Sequence, residues 1–135
     1  MFYDFTITVA PTDTAASPKE QTLQLEKGII HRVEVQFPIG TRALVHCQIR
    51  KALHQVWPKN PDGNFASDGY TIAWDDYEPL ETAPYQLKVV LWSTADTYSY
   101  DIVLRFGVLS RELLTPLGGV VGALKKFLKL VGVGV

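Results

Sequence analysis

The chain has 135 residues, 47% of them apolar and 20% charged, which is the balance of one packed domain and not of a disordered segment. Thirteen Lys and Arg against 14 Asp and Glu leave a net charge of −1, so no strong basic field points to nucleic acid as a partner. A single cysteine, Cys47, excludes an intrachain disulfide framework and any multi-cysteine metal cluster.

The N-terminal run Met1-Phe2-Tyr3-Asp4-Phe5 sets an acid among aromatics, with no basic leader and no cleavage motif, so secretory export is not expected. No stretch reaches the ~18 uninterrupted apolar residues of a membrane span. Charge is divided unevenly. Residues 1–109 carry a net of −4 and residues 110–135 a net of +3. The expected organisation is a body over 1–109, a hinge over 110–119 and a tail over 120–135.

Period-two alternation, the mark of a half-buried strand, recurs throughout the body. Tyr3, Phe5, Ile7 and Val9 share one face, opposite Asp4, Thr6 and Thr8. Pro11 to Glu20 reads as an exposed loop, Leu23 and Leu25 as a second strand, and Gly28 as a turn. His31, Val33, Val35 and Phe37 form the next row, opposite Arg32, Glu34 and Gln36, with Pro38 and Gly40 closing it. Ala43, Val45, Cys47 and Ile49 follow, then a short strand from Leu53 to Trp57 and the loop Pro58 to Asn64. Tyr70, Ile72 and Trp74 make a row, as do Leu87, Val89 and Leu91. The longest runs from Tyr98 through Tyr100, Ile102, Leu104 and Phe106 to Val108. The fold class expected is all-β: about eight antiparallel strands in a sandwich of jelly-roll or Greek-key type, with a closed barrel as the competitor.

Beyond Ser110 the period changes. Val120, Val121, Leu124, Phe127, Leu128 and Val131 form one helical stripe, with Lys125, Lys126 and Lys129 mostly opposite, after Pro116, Leu117 and the Gly118-Gly119 pair. About three turns are too few for a stable isolated helix, so this amphipathic segment needs a cover. Three covers are open: its own sandwich, a neighbouring subunit reached across the glycine hinge, or a lipid surface. Three lysines would make lipid contact weak unless many copies acted together. Leu117 and the six stripe residues are therefore the candidate docking residues for a subunit or membrane.

No reaction centre is legible. His31, His46 and His54 lack metal-ligand spacing, and His31 reads as a hydrogen-bonded core imidazole. Cys47 lies in an inward row, as a small buried hydrophobe would. Gly-x-Ser-x-Gly is absent. Asp75 to Glu81 reads as a solvated acidic loop, and Asn60-x-Asp62-x-Asn64 starts like a calcium loop but has Phe65 where glycine is needed. No metal and no cofactor is expected. Among the aromatics, Tyr70 and Trp74 share parity with Ile72 and read as core, whereas Trp57, before its proline loop, and Trp92, in the row opposite Leu91, are the candidates for stacking on a carbohydrate or other surface ligand.

His31-Arg-Val-Glu-Val-Gln-Phe-Pro-Ile-Gly40, His54-Gln-Val-Trp-Pro58 and the Asn60–Gly69 loop together resemble small β-sandwich proteins of phage and prophage-like gene clusters. The likeness covers roughly residues 20–108 and rests on turn signals and core aromatics. It implies a virion component, self-associating and in contact with other virion proteins, made in the host cytoplasm. It carries over no functional residue. The expectation is a non-enzymatic structural protein of a phage-like particle, with a carbohydrate- or surface-binding module as the alternative.

Overall fold

The computed structural model describes residues 1–95 and 97–110. Eight strands carry them: β1 (Phe2–Val9), β2 (Lys19–Gln24), β3 (Gly28–Phe37), β4 (Val45–Lys51), β5 (His54–Trp57), β6 (Tyr70–Leu80), β7 (Gln86–Ser93) and β8 (Tyr100–Leu109). They form two antiparallel four-stranded sheets, sheet A in the order β1-β8-β3-β6 and sheet B in the order β2-β7-β4-β5. The order follows one rule. β1 pairs with β8, β2 with β7, β3 with β6 and β4 with β5, as in a single long hairpin whose tip is β4–β5. Rolling that hairpin adds the β3–β8 and β4–β7 pairings and splits it into two sheets.

Alternation then buries one face of each sheet against the other. Ile7, Val33, Val35, Phe37, Leu104 and Phe106 from sheet A meet Leu23, Val45, Cys47, Ile49, Leu87, Val89 and Leu91 from sheet B in one cluster. Two glycines allow close approach. A Cβ on Gly28 would lie 2.5 Å from the Leu109 carbonyl oxygen, so this residue opens β3 beside the end of β8 and is not the turn its type suggested. On Gly107 a Cβ would lie 2.8 Å from His31 Nε2.

The expected rows shift at six points. His31 is half-buried and outside the core, because β3 bulges between Ile30 and Arg32: these two pair with the adjacent residues Val108 and Gly107, leaving His31 as the extra residue. Ile30 takes the core place. Ala43 belongs to a turn, with Arg42 and Ala43 at φ of 51° and 57°, and β4 starts at Val45. The acidic run after Trp74 is no loop but the second half of β6, paired with β3 as far as Leu80. Leu53, Tyr70 and Tyr98, given to inward rows or strands, are 96%, 62% and 67% exposed. The tail's expected helix, the hinge over 111–119 and the stripe from Val120 to Val131, with Leu117, lie outside the described residues.

Candidate docking surfaces

The outer face of sheet A is a ladder of charge. Asp4, Arg105, Glu34, Arg32 and Asp75 succeed one another across all four strands, with ion-pair distances of 3.5, 3.5, 3.4 and 3.2 Å. Asp4 on β1 and Asp75 on β6 each stand directly across from an arginine, Arg105 and Arg32, the pairing that cross-strand geometry favours. Arg105 Nη2 also donates to Gln36 Oε1 at 2.9 Å. At the bulge His31 sits over Gly107, its ring edge-on to Phe2 at 6.2 Å between centroids. Burial lowers its pKa from the usual histidine value, and the nearby amino terminus lowers it further.

The outer face of sheet B carries a different set. Trp92 on β7 and His46 on β4 are directly opposed, their rings stacked at 5.4 Å and 15°. His46 Nδ1 and Asn64 Oδ1 lie 2.7 Å apart, within hydrogen-bond reach. Gln48 and Gln55 clasp the loop after β5: Gln48 Nε2 donates to the Gly63 carbonyl at 2.7 Å, and Gln55 Nε2 to the Pro58 carbonyl at 2.7 Å and the Asn60 carbonyl at 3.0 Å. Asn60, Asp62 and Asn64 thus belong to a turn held by backbone and amide bonds, with Gly63 N donating to the Asn60 carbonyl at 3.0 Å.

Trp57 is not a surface platform. It is 2% exposed, packed edge-on to Trp74 at 6.0 Å and against Phe106 at 6.5 Å. A ring so enclosed has no face left for a ligand. Its indole Nε1 donates to Asp76 Oδ2 at 2.7 Å, while Asp76 Oδ1 accepts from Tyr77 N at 2.7 Å. The acidic run is therefore structural: Asp75 holds Arg32 and Asp76 holds Trp57. Trp74 packs against the core from its rim. Trp92 is half-buried on the solvent side, as its row indicated.

Cys47 is fully buried, and burial pushes its thiol up to about 12, far from a thiolate at neutral pH. Among the described residues no three His, Cys, Asp or Glu side chains converge as a metal site, and no helix is long and apolar enough to cross a membrane.

The β3–β4, β5–β6 and β7–β8 loops meet at one end of the roll. The Thr41 hydroxyl lies between the Pro38 and Ser67 carbonyls at 3.0 and 2.7 Å, and Gly40 N donates to Asp68 at 2.8 Å. Ile39, 89% exposed, projects from this end. A depression of about 680 Å3 lies beside it, lined among others by Gly40, Arg42, Leu44, Tyr98 and Tyr100. At the other end Met1 and Phe2 are exposed beside β1, an edge strand among the described residues. Residue spacing by itself marks neither that edge nor the His46–Trp92 stack. The signals were there, in an N-terminal strand with no lysine or proline and in two aromatic rings on outward rows. No protein-family model matches the chain, and no curated protein matches it.

Proposed function

We propose that the protein is a non-enzymatic structural subunit of a phage or phage-like particle. Its sandwich forms the body of a ring or capsomer, and the segment from Leu113 to Val135 docks on a neighbouring subunit or an underlying shell or membrane. The observation that carries this reading is the strand order. Two four-stranded sheets made by rolling one long hairpin are a jelly roll, an architecture that recurs in viral capsid proteins as well as in lectins and cupins. The tail's apolar stripe adds a segment in need of a cover. The argument runs through fold and through the resemblance of residues 20–108, not through a reacting site.

Solution mass tests it. The full chain is expected to form a defined ring or larger assembly, and a chain stopped at Ser110 to form a smaller one. Two equal monomers at every concentration would refute the reading. One observation favours a second function, recognition of a carbohydrate or similar surface: Trp92 stands on the outer face of sheet B with an imidazole against it. That reading expects polysaccharide to quench tryptophan fluorescence in the native chain and not in Trp92→Ala.

A further inference from the structure

The four sheet edges are not alike. β5 is four residues long, and its line is continued by Phe65, which bridges to Cys47. β2 is polar and charged, reading Lys-Glu-Gln-Thr-Leu-Gln. β6 carries Asp75, Asp76, Glu78 and Pro79, and Lys51 Nζ covers the Pro79 carbonyl at 2.9 Å. These are the usual devices that keep an edge from pairing. β1 lacks them. It reads Phe-Tyr-Asp-Phe-Thr-Ile-Thr-Val, without proline, lysine or glycine, and its register with β8 is unbroken over all eight residues.

The hydrogen bonds show which backbone groups are left over. Met1 N donates to the Val108 carbonyl at 2.9 Å and Val108 N to the Met1 carbonyl at 2.7 Å, so odd-numbered residues face β8. Phe2, Asp4, Thr6 and Thr8 then present N–H and C=O outward. Among the described residues only the Thr8 carbonyl is taken, by Lys19 Nζ at 2.8 Å. The side chains flanking this edge are partly bare as well. Phe2 is 70% exposed, and the Tyr3 and Phe5 rings, parallel at 6.3 Å, are half-buried at the rim of the core.

We propose that β1 pairs antiparallel with β1 of a second copy of this chain about a two-fold axis, making one continuous sheet from two copies of sheet A. This rests on the structural-subunit reading and names one of its contacts. Charge and the carbonyl held by Lys19 narrow the register. An axis through Asp4 would set that carboxylate against its own copy, and like charges directly opposite are unfavourable. An axis through Phe5 sets Asp4 opposite Thr6 of the second copy, twice. It also brings the two Phe5 rings together at a non-hydrogen-bonded pair, where strands approach most closely. The outward groups of Asp4 and Thr6 then supply the central bonds of the ladder, clear of the carbonyl held by Lys19. Two paired eight-residue strands bury less than the ~1,200 Å2 of a standard stable interface, so the contact is weak alone and effective where many copies are held together.

Sedimentation of the full chain over a range from roughly 10 μM to 1 mM tests the pairing, that range bracketing the weak affinities such a contact gives. Thr6→Glu faces Asp4 in both symmetric pairs and is expected to weaken the β1 contact about tenfold; Thr6→Lys is expected to strengthen it by a similar factor. Thr6 is exposed, and its own N–H and C=O point away from β8, so neither change touches the β1–β8 ladder. If the chain associates and both variants associate as it does, the β1 contact is wrong while the subunit reading stands. If the unaltered chain is monomeric throughout, both are wrong. Amide exchange on the unaltered chain gives an answer independent of the variants' folding. The Thr6 amide is expected to gain protection with concentration, and exchange that ignores concentration overturns the proposal.

Discussion

The hydrogen bond from Trp57 to Asp76 ties a large buried side chain of the core to a carboxylate, and its worth can be measured. The indole is 2% exposed and the Nε1–Oδ2 distance is 2.7 Å, the length of a charge-assisted bond. Such bonds contribute about 1.5–3 kcal/mol, and the lower end applies here because Asp76 is only half-buried. Trp57→Phe removes that bond and also the ring area packed on Trp74 and Phe106, for a total near 3 kcal/mol. Asp76→Ala leaves a buried N–H without an acceptor and is expected to cost about 2 kcal/mol. In the double variant the shared bond is lost once, so the two costs should fall short of adding by about 1.5 kcal/mol. Urea unfolding followed by far-UV circular dichroism on all four proteins closes the cycle. Additivity within ~0.5 kcal/mol, the usual scatter for independent sites, would refute the coupling.

Two further outcomes follow from burial. Cys47, fully buried with its thiol held near 12, should not react with a disulfide reagent at pH 8 until urea opens the sandwich; stoichiometric labelling of the native chain would place it elsewhere. His31 has its pKa lowered below the usual 6.5, chiefly by burial, so below that pH the unfolded chain takes up the proton more readily than the folded one. Stability is therefore expected to be flat above about pH 7, to fall as pH drops from 6.5 through the folded-state value, and then to level off. His31→Gln should remove that part of the fall, and identical pH profiles of the urea midpoint for the two proteins would exclude it.

Much of the architecture was legible because alternation is a direct record of one-sided burial. The rows Val45-Cys47-Ile49, Leu87-Val89-Leu91 and Ile102 to Val108 are core rows as read. The failures have local causes. At His31 one inserted residue changes the phase, and a bulge has no signature in polarity when the residue displaced is itself amphipathic. At Trp57 the following proline suggested a loop, but the ring turns inward at the end of a short strand and finds Asp76 on β6, a partner 19 residues away. The same bond explains why an acidic run with a proline is a strand. Asp75 is matched across its sheet by Arg32, and Asp76 reaches the other sheet, where it accepts from the Trp57 indole. The candidate surfaces were less visible than the core. An edge or a cross-strand stack exists only once strand order is known, and strand order is a property of pairing, which residue spacing does not encode.

The rolled hairpin also constrains how the chain reaches this state. β8 lies between β1 and β3, and Met1 finds its partner in Val108, 107 positions along the chain. Until β8 arrives, β1 has no neighbour in its sheet and β3 lacks one of its two. Only the tip, β4–β5, pairs over a short loop. Closing such distant pairs costs chain entropy before any contact offsets it, so folding on the order of milliseconds to seconds is expected, with a late, largely all-or-none consolidation of sheet A. In that interval the unguarded backbone of β1 is open to other chains as well as to β8. Synthesis at high copy number would make the order of those two encounters matter.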